Sequence, residues 1–455
     1  MIDIDAKLTP AALLPAVARV FELSARKIAL IDKSWDAARG TPVFTVAGRY
    51  TSRGWTEWTQ GFQFGSALLQ FDATGDRKML DLGTAGTVRH MASHVSHVGV
   101  HDHGFNNVST YGNLLRLARE GRIAADPWQV HFCELALKVS GAVQAARWTE
   151  LPDGLGYIHS FNGPHSLFAD TMRSLRSLAL GHQLGHALMG ERDRRIPLLQ
   201  RLVQHADTNA RYNVYFGQGR DRYDVRGRVA HESVFNVRDG SYRCPSTQQG
   251  YTPFSTWTRG LAWVLLGYAE EVEFLATLKD AELKPCGGKK ALLARYVEAA
   301  RATADFYIDN TPTCGVPYWD TGAPGLAQLG DYLDRAADPY NDHEPVDSSA
   351  AAITAQGLIR LGRHVGGKAG ARYKAAGLTV ARTLFAEPYL STAPRHQGLL
   401  LHAIYHRPNG WDHVPRGSRI PCGESCMWGD YHLRELALYI GRLARNDRYY
   451  KFYLD

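Results

Sequence analysis

Apolar side chains recur along this chain at the three- and four-residue spacing that lines one face of an α-helix. Leu13, Val17, Phe21 and Ile28 form a first stripe, and Phe168, Met172, Leu175 and Ala179 another. Leu293, Val297, Ala300 and Ala304 follow, then Ile353, Leu358 and Leu361, and finally Leu433, Leu436 and Ile440. About eleven or twelve such segments are separated by turn-forming clusters such as Asn162-Gly-Pro164, Arg238-Asp-Gly240 and His406-Arg-Pro-Asn-Gly410. The alternating pattern of a half-buried strand is scarce. Residues 228–236 and 399–405 are the candidates, as short hairpins decorating the helices.

No low-complexity linker divides the chain, and the polar stretch at residues 338–347 reads as a loop. The expectation is one all-α domain over residues 1–455. Short turns make consecutive helices antiparallel neighbours, so twelve helices can close as six hairpins into a double ring, the (α/α)6 barrel. Such a barrel has a funnel at one end, where the loops here would bring aromatic and acidic residues.

Composition narrows the function more than the fold. Lys and Arg number 52 against 45 Asp and Glu, a net +7 without any run of five like charges, so nucleic acid is not the expected partner. A diffuse positive field suits a small anionic substrate. The six cysteines form no CxxC pair and read as buried free thiols. The N-terminus opens on acids, and no apolar run reaches the roughly 18 residues of a membrane span, which points to a cytoplasmic protein without a membrane partner. A trimmed leader would leave a periplasmic protein looking the same, and the oligomeric state is left open. There is no Walker loop, no GxGxxG after a strand and no GxSxG elbow, so no nucleotide cofactor and no serine nucleophile is expected.

The richest chemistry lies in Gln249 to Trp263, where an amide (Gln249), two indoles (Trp257, Trp263) and a guanidinium (Arg259) fall within fifteen residues. Indole faces pack on the apolar face of a pyranose, a guanidinium forks onto a carboxylate and an amide takes hydroxyls, so the set suits a sugar acid. Core aromatics beside a surface cation would read the same. Asp102, in His101-Asp-His-Gly-Phe105, and Asp170, in Phe168-Ala-Asp-Thr-Met172, are candidate acids. Each is equally a turn or helix-cap residue, and capping would lower its pKa. Two carboxyls sharing one pocket would instead raise one of them, as a general acid requires. Histidines at 90, 94, 97, 101 and 103, and the pair His182 and His186, invite a metal. The pair has the i, i+4 spacing of a zincin, but Gln183 stands where that motif needs Glu and no third ligand is evident, so no metal is expected.

Seven pieces taken together resemble the unsaturated glucuronyl hydrolases, glycoside hydrolase family 88. They are Trp58-Thr-Gln-Gly-Phe62, His101 to Phe105, Asp170-Thr-Met172, His231, Gln249 to Trp263, Asp347-Ser-Ser-Ala350 and Trp428-Gly-Asp-Tyr431, in the family's order over most of the chain after residue 55. The resemblance implies an (α/α)6 barrel without metal or organic cofactor, acting on oligosaccharides that carry a 4,5-unsaturated uronic acid at the non-reducing end. It implies Asp170 as acid and base, with Asp102 beside it. Gln249, Trp257, Arg259 and Trp263 would contact substrate, and His231 and Trp58 would complete the wall. Arg259 with His231 is then the expected holder of the uronate carboxylate.

One departure bears on substrate. Family members acting on sulfated glycosaminoglycan fragments show Ser-x-x-Ser-x-Lys shortly before the Trp-Gly-Asp-Tyr piece, whereas this chain has Tyr405-His-Arg-Pro-Asn-Gly-Trp411 and Ser418-Arg-Ile-Pro-Cys-Gly-Glu-Ser425. An unsaturated rhamnogalacturonyl hydrolase with the same chemistry is the nearest alternative. A sugar epimerase on a similar barrel, working through His182 and His231, and an inactive sugar-binding protein are the others.

Overall fold

The computed structural model describes residues 1–53 and 57–454. Twelve long helical segments carry the fold among them. They are α1 (Leu14–Ser34), α2 (Gln60–Thr74), α3 (Arg77–His90), α4, α5 (Pro127–Ala146), α6, α7 (Leu198–Tyr212), α8 (Thr258–Thr277), α9 (Lys289–Asp309), α10 (Ser348–Val365), α11 (Gly367–Leu384) and α12 (Met427–Arg445). Two are composite. α4 runs from His103–Asn107 through a π-helical turn, Val108–Gly112, into Asn113–Arg119, and α6 joins Thr171–Ser174 to Arg176–Gln183.

Burial sorts the twelve into two rings. α8, α10 and α12 are buried nearly all round, whereas α1 buries one stripe, Val17, Val20, Phe21, Leu23, Ile28 and Ile31, and keeps a polar outer face. The even-numbered helices contact one another in the order α2, α4, α6, α8, α10, α12 and back to α2, which closes an inner ring. The odd-numbered helices pack outside it, and the result is an (α/α)6 barrel.

Close packing of the inner ring depends on small residues where helices touch. A Cβ on Gly104 would lie 2.3 Å from the Ser174 carbonyl oxygen, and one on Gly267 would lie 2.7 Å from the Met172 carbonyl carbon. The first contact locks the start of α4 onto α6, and the second locks α8 onto the other side of α6. In a close-packed core an added methyl at such a point forces the backbones apart.

Short strands sit between the helices, as the sequence led us to expect, but not always where expected. Glu232–Phe235 lies within residues 228–236 and is the centre of an antiparallel sheet with Ser166–Phe168 and Tyr242–Ser246. Residues 399–405 form no strand; Leu399 and Leu400 donate their N–H groups to the Asp430 carboxylate, and a side chain thus satisfies backbone that a hairpin would otherwise pair. Phe168 belongs to a strand rather than to α6, although it is buried with the stripe that follows. On α9 the buried positions include Leu292, Tyr296, Ala300 and Ala304, while Leu293 and Val297 lie at the edge of that face. The six cysteines are free; Cys133, Cys422 and Cys426 are buried as expected, Cys286 and Cys314 are half-buried, and Cys244 is exposed. No helix among the described residues is long and apolar enough to cross a membrane.

Candidate active site

The inner helices turn their N-termini to one end of the barrel, and the residues at those starts line a cavity of about 380 Å³. Trp58 precedes α2, Asp102 and Asp170 are the cap residues of α4 and α6, and Trp257 caps α8. Seven of the eight residues singled out from sequence line it: Trp58, Asp102, Asp170, Gln249, Trp257, Arg259 and Trp263. The eighth, His231, lies just behind the wall, with its ring 4.8 Å from that of Trp257.

Asp102 and Asp170, 68 residues apart, are brought together by a set of local bonds. Gln144 Nε2 donates to the His101 carbonyl at 2.9 Å and to Ser174 Oγ at 3.0 Å; Gly104 N–H donates to the same Oγ at 2.8 Å, and Arg176 Nε donates to the Gly104 carbonyl at 2.8 Å. The turn carrying Asp102 is thereby fastened to α6. His231 arrives by a backbone bond, Ala169 N–H to the His231 carbonyl at 2.8 Å, which extends the sheet register to the residue before Asp170.

Neither aspartate caps its helix with its side chain. Both are buried, 7% and 8% exposed, and both face His101, whose Nε2 lies 3.7 Å from Asp102 Oδ1 and 3.5 Å from Asp170 Oδ2. The three donor atoms fall within 4.8 Å of one another, and a proton on His101 would offset one of the two carboxylate charges. Burial pushes the Asp102 carboxyl above its ordinary range, with His101 restraining the rise and Asp170 adding to it. Burial acts on Asp170 too, but the hydrogen bond and charge of His101, with His231 beside it, outweigh burial and hold Asp170 below its ordinary range. The sequence led us to expect the raised carboxyl at Asp170; the imidazole between the two acids reverses the order in the free protein.

Arg259 is buried, and its terminal N–H groups are already engaged. Nη1 reaches Asp347 Oδ2 at 2.6 Å and the Ile404 carbonyl at 2.5 Å, while Nη2 reaches the Tyr405 carbonyl at 2.7 Å and Gln249 Oε1 at 3.1 Å. The guanidinium therefore holds Gln249 and the segment at 404–405 in place rather than offering a free fork. This gives Asp347 a role that the sequence left unassigned. His231 accepts the Gln248 N–H at Nδ1 (3.0 Å), and burial pushes its pKa down to about 4. Its buried Nε2 has no hydrogen-bond partner.

Residues missed from sequence complete the wall: His101, Phe161, Gln248, Tyr405, His406 and Trp411. Asp412 accepts the N–H groups of Tyr405 and His406 at 2.5 and 3.1 Å, which folds this aromatic segment over the cavity. Trp428, from the Trp-Gly-Asp-Tyr piece, stacks on Trp58 at 5.0 Å between ring centres. The histidine pair and His103 serve the frame of the barrel. His103 bonds Ser140 and the His97 carbonyl, and α6 ends at Gln183, so His182 and His186 share no helical face. His182 pairs with Glu282 at the far end of α6, roughly 18 Å of helix from Asp170 at 1.5 Å per residue. An epimerase pairing of His182 with His231 has no geometry to support it.

No protein-family model matches the chain. It is 25% identical over 385 residues to the unsaturated glucuronyl hydrolase of Formosa agariphila, covering 83% of this chain and 78% of that protein. It is 26% identical over 416 residues to the unsaturated glucuronyl hydrolase of Bacillus sp. GL1, covering 87% and 89%. The chain is a homologue of the unsaturated glucuronyl hydrolases. The crystal structure of the Bacillus unsaturated glucuronyl hydrolase shares the fold at a TM-score of 0.70 and 22% identity, over 94% of this chain and 96% of that one. A Streptococcus agalactiae unsaturated glucuronyl hydrolase variant, complexed with dGlcA-GalNAc6S, does so at 0.62 and 18% identity, over 96% and 93%.

Proposed function

We propose that the chain removes a 4,5-unsaturated uronic acid from the non-reducing end of lyase-generated oligosaccharides by hydrating its C4=C5 double bond. The observation that carries this is the meeting of Asp102 and Asp170 in one indole-walled cavity, with neither side chain occupied in capping its helix. Trp58, Trp257 and Trp263 offer faces for a sugar ring, and Gln249, held by Arg259, offers an amide for its hydroxyls. The uronate carboxylate is drawn by the helix N-termini gathered at the cavity and by the Arg259 guanidinium at its wall, with His231 behind Trp257 backing that wall.

The substrate itself supplies the pKa change that the free site lacks. A uronate entering this buried pocket adds a third negative charge, which raises both carboxyls and favours the acid form of Asp170. Asp170 then gives its proton to C4, and the double-bond electrons form the new C–H bond. C5 becomes an oxocarbenium-like centre stabilised by the ring oxygen. Water adds there and loses a proton to the Asp170 carboxylate, so one side chain acts as acid and then as base. The hemiketal opens and releases the leaving sugar. Asp102 holds the ring beside Asp170. This differs from displacement at the anomeric carbon, which needs a nucleophile or a water on the opposite face.

Where the sulfate-reading segment of the family would stand, Tyr405, His406 and Trp411 form the wall, which favours an unsulfated leaving sugar. Incubation with sulfated and unsulfated unsaturated disaccharides, following the ultraviolet absorbance of the double bond, tests the reading. We expect the absorbance to vanish, faster for the unsulfated compounds. Unaltered ligand after long incubation would leave a binding protein, and an altered sugar with undiminished absorbance would leave an epimerase.

A further inference from the structure

We propose that His101 stores the proton used in this reaction, sharing it between Asp102 and Asp170 and passing it to Asp170 when an anionic substrate enters. The inference rests on the hydration reading above. The geometry is that of a shared donor. The ring is 1% exposed, lies against Phe161 (5.8 Å, stacked) and Phe168 (5.6 Å, edge-on), and meets both carboxylates through one nitrogen at 3.7 and 3.5 Å. Neither ring nitrogen makes a hydrogen bond among the described residues, so the ring is poised between the two carboxylates rather than committed to either. The backbone is fixed by the Gln144 bond to the His101 carbonyl, so the ring is held without its nitrogens being used.

The surrounding charges favour this residue over its neighbours as the place for a proton. Burial acts to lower the His101 pKa, but Asp102 and Asp170 outweigh it and raise the value above 6.5, while the Arg147 guanidinium opposes them. The nearby imidazoles of His159, His205 and His231 are pushed down by burial to about 4, 3 and 4, so they stay neutral. The free site thus favours a proton on His101 over the imidazoles around it, and holds Asp170 toward its carboxylate form.

The transfer balances. The Nε2–H bond of His101 breaks, an O–H bond forms at Asp170 Oδ2, and a neutral imidazole and a neutral carboxyl replace an ion pair. That loss is compensated by the uronate, whose charge disfavours a second anion beside it. After protonation of C4, the proton taken from the attacking water returns to Asp170 and then to His101. His101 acts through Asp170 and is a positioning and proton-holding residue.

Two measurements test it. In the wild-type protein, a histidine signal absent from the His101→Gln variant should titrate above 6.5 by nitrogen-15 NMR, while those of His103, His205, His231 and His432 should titrate below it. A His101 signal titrating well below 6.5, assigned by sequential backbone-to-side-chain correlation where no variant folds, would overturn the inference. In steady-state kinetics, His101→Gln should lower kcat at neutral pH about 10²-fold, the lower end of general acid–base effects, with a smaller change in KM. Its alkaline limb should move to lower pH by at least one unit, because Asp170 must then be protonated from solvent, and imidazole should restore part of the turnover of His101→Gly. An unchanged profile with only a lowered thermal midpoint would show a packing residue and overturn the proposal. If the wild type hydrates no unsaturated uronide the functional reading falls, while the NMR titration still decides where the proton resides.

Discussion

The inner ring encloses two clusters of buried charge only three residues apart along the chain, at Asp170 and at Arg173, and it treats them in opposite ways. Arg173 pairs with Glu270 at 2.9 Å and with Glu435 at 3.1 Å, and the Tyr450 hydroxyl donates to Glu435 at 3.0 Å. Burial works to raise Glu435, but the charge of Arg173, aided by His432 and Arg176, pulls it down to about 2, so it is a fixed anion. Asp170 is also buried, though with a little surface left on the cavity, yet its partner stands at 3.5 Å, is shared with a second acid, and leaves Oδ1 unpartnered. Burial alone therefore does not mark a reactive group. Nor does incomplete pairing, since Arg173 Nη1 and Glu270 Oε2 also lack hydrogen-bond partners; what distinguishes the two clusters is that Asp170 and Asp102 stand at the end of the barrel that opens to a cavity, where a ligand can supply the missing contact.

The comparison is broken most directly at Asp170. Asp170→Asn should lower turnover by roughly 10² to 10⁴ while retaining binding of the unsaturated disaccharide, measured by steady-state kinetics and calorimetry. Activity within tenfold of wild type would remove Asp170 from the acid and base role. Glu435→Gln should show the converse. Removing one member of a buried ion pair costs about 3–5 kcal/mol, so the denaturation midpoint falls steeply while the kcat of the folded fraction holds. Its pH dependence has a fixed sign. The folded-state value is depressed, so the stabilisation is present above the ordinary value of 4.5 and is lost as pH falls toward about 2; wild type should show this acid loss and the variant should not. The smallest effect is expected from a chelator. Since His101 is placed to offset the carboxylate charge with a proton, dialysis against EDTA should leave turnover unchanged, and a loss restored by a divalent cation would replace proton chemistry at this cluster with metal chemistry.

Much of the site was legible before any coordinates. An indole, a guanidinium or a carboxylate announces its chemistry wherever it sits, and Gln249 to Trp263 packed several into one helix start. Tyr405, His406 and Trp411 were less legible because their place over the cavity depends on Asp412, a loop residue with no periodic signal. The expected fork of Arg259 onto substrate failed as a detail for a related reason. Its acceptors, Asp347 and two carbonyls at 404 and 405, lie some 88 to 146 residues away.

By itself the sequence determined that the chain is a series of helices and where most of them lie, because the period of apolar residues is set by the local geometry of the backbone. It also determined which side chains carry sugar and proton chemistry. The tertiary structure alone decided which helices are inner, that Gly104 lets α4 close on α6, and that His101 stands between the two acids and inverts their order of proton affinity. Those are distances between segments far apart along the chain, and they follow from how whole faces pack, which no local pattern encodes.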